Sequence, residues 1–176
     1  MASRMQKRTK KLTVSAMLAA LGVILLAVGS VFGALDLSTA ALASILCIYV
    51  VIEIGGTYPW MLWGVTSLLG ILLLQVKTPA IFYLFIGCYP ILKEKLEKLP
   101  RLPSLLAKLG VFHVMLGLLY LIMRIFFPAE LLFEATWMIW AVYGLGVFAF
   151  LLYDYALTKL ITFYLLRLRD RLKMKF

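Results

Sequence analysis

Acidic residues are scarce in this chain, cysteine is rare and histidine nearly absent. Against 18 lysines and arginines stand 8 aspartates and glutamates, one histidine and two cysteines. Catalytic and metal-binding sites draw on those scarce residue types, and none of their usual spacings occurs. There is no H-E-x-x-H or H-x-x-E-H pattern, no G-x-S-x-G elbow and no phosphate-binding glycine loop. Cys47 and Cys88 stand alone inside apolar runs, with no C-x-x-C pair and no Cys/His cluster, which excludes a structural zinc site. They read as small packing residues. The expectation is a protein that is not an enzyme and needs neither cofactor nor metal. A polar linker that would divide the chain into domains is also missing.

What the chain has in abundance is apolar surface. Its hydrophobic content is 64% and its mean hydropathy +1.02, where a soluble domain is apolar over roughly half its residues. A soluble fold of this size has no way to cover so much apolar area, so lipid must be the solvent for much of the surface. Sixteen of the 18 basic residues lie in three places, with Lys77 and Arg124 outside them. Arg4, Lys7, Arg8, Lys10 and Lys11 precede the first apolar run; Lys93, Lys95, Lys98, Arg101 and Lys108 surround a central loop. Lys159, Arg167, Arg169, Arg171, Lys173 and Lys175 close the chain. That pattern is the positive charge a membrane protein keeps on its cytoplasmic side, in contact with lipid headgroups, and not a nucleic-acid footprint.

The apolar runs predict an all-α integral membrane bundle of six transmembrane helices, a single domain with both termini cytoplasmic. The runs are 12–34, 37–55, 58–75, 79–92, 104–127 and 134–158, followed by a basic amphipathic tail over 159–176. The first run exceeds the core of a signal peptide and is read as a retained helix. The fourth is short, and Pro90 is expected to kink or finish it. A polar stretch over 93–103, broken by Pro100 and Pro103, is expected to hold few helical residues. Four spans plus a re-entrant hairpin is the alternative; six spans put all three basic clusters on one side.

In lipid, stripes of small or polar residues mark the functional helix faces. On the first helix Ala16, Ala20, Val23, Ala27, Ser30 and Ala34 share one face, with Gly29 and Gly33 on a neighbouring one. This is either internal packing or a docking face for a membrane partner. On the fifth helix His113, Gly117, Tyr120 and Arg124 fall within about 60° of one another. The sixth opposes them with Glu130 and Glu134, then Trp137, Ala141 and Gly144, flanked by Trp140 and Tyr143. Ionisable groups at membrane depth face a cavity, a partner or a substrate path. His113, Tyr120, Arg124, Glu134 and Trp137 are therefore the candidate ligand residues, with a packed polar seam as the competing reading. Trp60 and Trp63 are assigned to the interfacial aromatic belt.

The opening of the first helix, Lys11-Leu12-Thr13-Val14-Ser15-Ala16-Met17-Leu18-Ala19-Ala20-Leu21-Gly22 after a basic N-terminus, resembles that of S components of energy-coupling-factor transporters. The resemblance implies a substrate-capture subunit of a bacterial plasma membrane that binds a vitamin-like micronutrient from outside. It implies partnership with a transmembrane coupling protein and two ATPases, contacted through an A-x-x-x-A motif that Ala16 and Ala20 match. The rival expectation is a non-transporting membrane scaffold of a cell-envelope assembly complex, using the same small-residue faces for permanent partners and needing no ligand.

Overall fold

The computed structural model describes residues 2–126 and 136–168. Among these, all regular structure is helical: α1 Ala2–Phe32, α2 Asp36–Glu53, α3 Tyr58–Leu73, α4 Thr78–Ile86, α5 Tyr89–Leu96, α6 Arg101–Phe126 and α7 Thr136–Phe163, the last running into a π-helical turn, Tyr164–Leu168. Four stretches are long and apolar enough to cross a bilayer: Met5–Phe32, Asp36–Glu53, Leu102–Leu121 and Tyr143–Arg167. The protein is therefore an all-α, multi-pass membrane protein. Its helices group into two compact units, α1–α5 and α6–α7.

In the first unit α1 and α2 form a hairpin with only three residues between them. Gly33 ends α1 by adopting a positive φ of 55°, and its N–H bonds back to the Gly29 carbonyl at 2.9 Å. A residue with a Cβ is strained in that conformation, so this position terminates the helix and does not extend a G-x-x-x-G face. Gly29 lies directly against Thr39 of α2, leaving no room for a side chain. The Thr39 hydroxyl donates back to the Leu35 carbonyl at 3.0 Å, so the close approach buries no unmet donor.

The buried face of α1 is Ser15, Ala19, Gly22, Leu26 and Gly29, spaced by four, three, four and three residues as a single helical stripe requires. Two apolar clusters stack along it. Ala19 joins Cys47, Val50, Ile54, Leu62 and Ile91, while Leu26 joins Ala40, Ala43, Leu74, Ala80 and Tyr83. Cys47 and Cys88 are both buried with free thiols, as packing residues should be. Polar contacts fix the direction of each helix. Lys11 Nζ donates to the Ile54 carbonyl at 3.3 Å, joining the start of α1 to the end of α2. The Val76 N–H donates to Ser30 Oγ at 3.1 Å, bringing the α3–α4 turn to the far end of α1.

Pro90 divides the fourth apolar segment into two helices, α4 and α5. Gly87 and Cys88, between α4 and α5, keep helical dihedrals of −70°, −27° and −78°, −20°. Proline lacks the N–H that would bond four residues back, and its ring crowds that carbonyl, so the ladder breaks there while the chain continues in the same sense. Pro90 then occupies the first turn of α5, where no donor is needed. Helix thus extends to Leu96, across Lys93–Lys95, where the polarity of the sequence had predicted mostly loop. Residues 78–96 rise about 28 Å in total, close to a bilayer core of about 30 Å.

In the second unit α6 and α7 are antiparallel. Lys108 pairs with Asp154 at 3.1 Å, Phe112 stacks on Phe150 at 4.7 Å between ring centroids, and His113 meets Tyr143. Pro103, expected to be a breaker, sits in the first turn of α6, which already starts at Arg101.

Candidate functional site

Two surfaces carry the candidate residues, one in each unit. On α1 the small-residue face lies about 100° around the helix from the stripe that packs inward. Its two halves differ. Val23, Ala27 and Ser30 are half-buried, and Ser30 is engaged by Val76, whereas Ala16 and Ala20 are exposed. Internal packing therefore accounts for the half of the stripe nearer α1's end, and leaves the A-x-x-x-A half uncovered. The stripe continues towards the N-terminus through Thr9 and Thr13. Each of those hydroxyls donates to the carbonyl four residues back at 3.0 Å, so neither is an unmet donor on that face.

In the second unit the histidine sits where α6 and α7 touch. His113 Nδ1 lies 2.7 Å from the Leu109 carbonyl oxygen. A carbonyl only accepts, so Nδ1 is the donor there, and Nε2 is hydrogen-bonded to the Tyr143 hydroxyl across the hairpin. The two rings meet edge to face at 5.8 Å, and Trp140 stands against Tyr143 in the same manner at 6.4 Å. Both nitrogens of His113 are thus bound by protein groups, one local and one across the hairpin. The ring itself remains exposed.

The other ligand candidates are distributed differently. Tyr120 is carried by the same helix about 10 Å further along and is 55% exposed. Gly117, between them, has open space above its Cα. Arg124 and Trp137 belong to α6 and α7, but their side chains, like Glu130 and Glu134, lie outside the described residues.

Three features were not read from the sequence. Tyr143, treated there as a flanking aromatic, is the partner of the histidine. Lys108, counted with the central basic cluster, is paired with Asp154, and both are largely withdrawn from solvent at 13% and 18% exposure. The signal for this pair was available: Asp154 is the only acid between Glu134 and the chain end short of Asp170, and an acid in an apolar helix calls for a cation opposite. Trp63, assigned to the aromatic belt, donates its indole N–H to the Leu84 carbonyl at 3.0 Å and ties α3 to α4. Its neighbour Trp60 is the more exposed of the two, at 37%.

No protein-family model, curated protein or solved structure matches this chain.

Proposed function

We propose that this chain is a membrane substrate-capture subunit for a vitamin-like micronutrient, similar to the S components of energy-coupling-factor transporters, which docks to a separate membrane protein through α1. The observation that carries the reading is the uncovered Ala16–Ala20 half of the small-residue face. In lipid, apolar surface gives no drive to associate, and helices pair where small side chains let backbones approach. A face of that kind that α2–α5 leave open is matched to a helix from elsewhere. The coupling protein of the transporter, with its ATPases, is the partner the resemblance supplies.

Six spans with both termini in the cytoplasm is the topology that goes with it. The near-continuous helix over 78–96 supports a fourth crossing. The Lys11–Ile54 contact and the shared cluster of Ile54 with Ile91 support one basic end for the first unit, as cytoplasmic exposure requires. The ligand side of the proposal rests on His113, Tyr120, Arg124, Glu134 and Trp137. One observation favours the scaffold reading instead: His113 already has both nitrogens bound within the hairpin, as in a structural seam.

The test is co-purification. Ala16→Trp and Ala20→Trp should remove the coupling protein and its ATPases from the purified complex while the variants keep parental helicity and elution. Ala19→Trp, on the buried face, should damage folding instead. Stable envelope-assembly partners, with no ATPase and no small molecule retained by the parent, would establish the scaffold.

A further inference from the structure

We infer that the end of α7, with its π-helical turn, carries a site for an anionic phospholipid. Lys159 takes the phosphate, Arg167 stands about 12 Å further out beside the rest of the headgroup, and an acyl chain lies along Leu145, Phe148 and Leu152. Two aromatic rings set the cations in place. Lys159 Nζ stands 5.4 Å from the centre of the Tyr155 ring, and the Arg167 guanidinium 5.9 Å from that of Phe163. The rings are 62% and 50% exposed, and both cations are exposed as well. Tyr155, Lys159, Phe163 and Arg167 follow at four-residue intervals, so ring and cation alternate along one winding column.

Both cations point inward. Helical side chains lean towards the N-terminus, and each cation lies over the ring one turn before it, towards the apolar body of α7. A basic side chain at a helix end in lipid gains most by reaching the other way, out to the water. The apolar stretch Tyr143–Arg167 is about 37 Å long against a bilayer core of about 30 Å, so the column stands where α7 leaves the hydrocarbon. An ammonium turned inward at that level gives up hydration, which a cation–π contact at an exposed ring restores only in part. An anion completes it.

The protein does not supply that anion. Among the described residues neither Lys159 nor Arg167 meets a carboxylate. The acid nearest Lys159 in sequence, Asp154, turns to α6 and pairs with Lys108. Thr158 and Thr162 already donate their hydroxyls to the carbonyls four residues back, each at 2.8 Å. At the edge of the hydrocarbon the anion at hand is a lipid phosphate. Two cations with no acid against them favour a net anionic headgroup, because a zwitterionic one brings a further cation to the same place. Leu145, Phe148 and Leu152 are exposed and continue the column away from Lys159. With Tyr155 and Lys159 they are spaced by three, four, three and four residues and fall within about 80° of one another. From Leu145 to Tyr155 the row is about 15 Å long, half the thickness of a bilayer core. The site is independent of what docks at Ala16–Ala20.

The full chain is to be extracted gently from vesicles of equal parts phosphatidylglycerol and phosphatidylcholine, and the lipid retained per protein read by native mass spectrometry. The parent should keep phosphatidylglycerol in preference, and should keep it when inorganic phosphate is added. Lys159→Gln combined with Arg167→Gln should weaken retention by roughly twenty- to thirtyfold, the effect of two basic residues at an anionic surface. Tyr155→Leu combined with Phe163→Leu keeps the charge and the apolar bulk, and should weaken it severalfold because the cations lose their rests. Lys95→Gln combined with Lys98→Gln removes the same charge elsewhere and should leave retention as it was. Leu152→Trp gives a readout in a chain with both cations and both rings: its added fluorescence should be quenched more by chain-brominated phosphatidylglycerol than by chain-brominated phosphatidylcholine. Equal retention or equal quenching with the two lipids overturns the inference, as does displacement of the lipid by inorganic phosphate. So does phosphatidylglycerol retention that ignores the double substitution of the cations or of the rings.

Discussion

A single carboxylate inside an apolar helix is costly unless its charge is met, and Asp154 is met by Lys108. The two side chains keep some exposure, so the cost of breaking the pair should be below the ~3–5 kcal/mol of a fully buried one. We expect Asp154→Ala to cost about 2–3 kcal/mol, because Lys108 is left without its counter-charge in low-dielectric surroundings. Lys108→Leu combined with Asp154→Leu should recover at least half of that loss, since an apolar pair needs no compensation. Both are measurable by unfolding in mixed micelles of rising denaturing-detergent content. A double variant no better than Asp154→Ala would mean that the carboxylate has another essential role. At the same scale, His113 shows how a sequence conceals pairing. Its helix face was legible from spacing alone, but Tyr143 lies 30 positions away, and only the register of the hairpin connects them.

At the level of helices, glycine separates tight interfaces from open ones. A side chain at Gly87 would meet the Tyr83 carbonyl at 2.7 Å and its ring at 2.8 Å, whereas nothing lies within 4 Å of the corresponding point at Gly117. Gly87→Ala should therefore destabilise by about 1–3 kcal/mol through overpacking. Gly117→Ala should be neutral, or stabilise by about 0.5–1 kcal/mol through helix propensity. The same unfolding titration reads both. A clear loss at Gly117 would show that something packs there in the membrane.

Helix existence was plain from the apolar runs, because lipid demands long stretches without charge. Helix ends were less so. The polar residues 93–96 looked like loop, yet Ile91 and Lys93 are anchored in the bundle, Lys93 at 1% exposure, and they carry the helix onward. Hydropathy is blind to a lysine whose stem is buried and whose ammonium finds a glutamate one turn away. Trp63 makes a related point: an interhelical indole bond has the same composition as an aromatic belt, and only the geometry reveals the bond.

For the molecule as a whole, the six-span proposal makes a topological prediction. In a background lacking Cys47 and Cys88, cysteines placed at Asp36 and Lys77 should react with an impermeant thiol reagent applied to intact cells. Cysteines at Gly56 and Arg101 should react only after the membrane is opened. Labelling of Arg101→Cys from outside would remove the six-span arrangement, whereas a Lys77→Cys that stays protected in intact cells would favour the four-span alternative, in which Arg101 is cytoplasmic as well. The two-unit division of the structure has a counterpart here. The joint falls just before Arg101, so this one position reports on the segment that connects the units.

The three residues between α1 and α2 also bear on how the protein reaches the bilayer. Gly29 and Thr39 are only ten positions apart, and they seal the closed end of that hairpin, next to its turn. Both partners are available as soon as residue 53 has left the ribosome. At about 5–20 residues per second, residues 54–96 follow over roughly two to nine seconds, far longer than the microseconds in which a preformed hairpin closes. The first two helices should consequently enter the membrane as a finished pair. The later helices of the same unit, α3 to α5, are then laid against a template already in place, and the earliest commitment of the fold is made at the glycine where α1 stops.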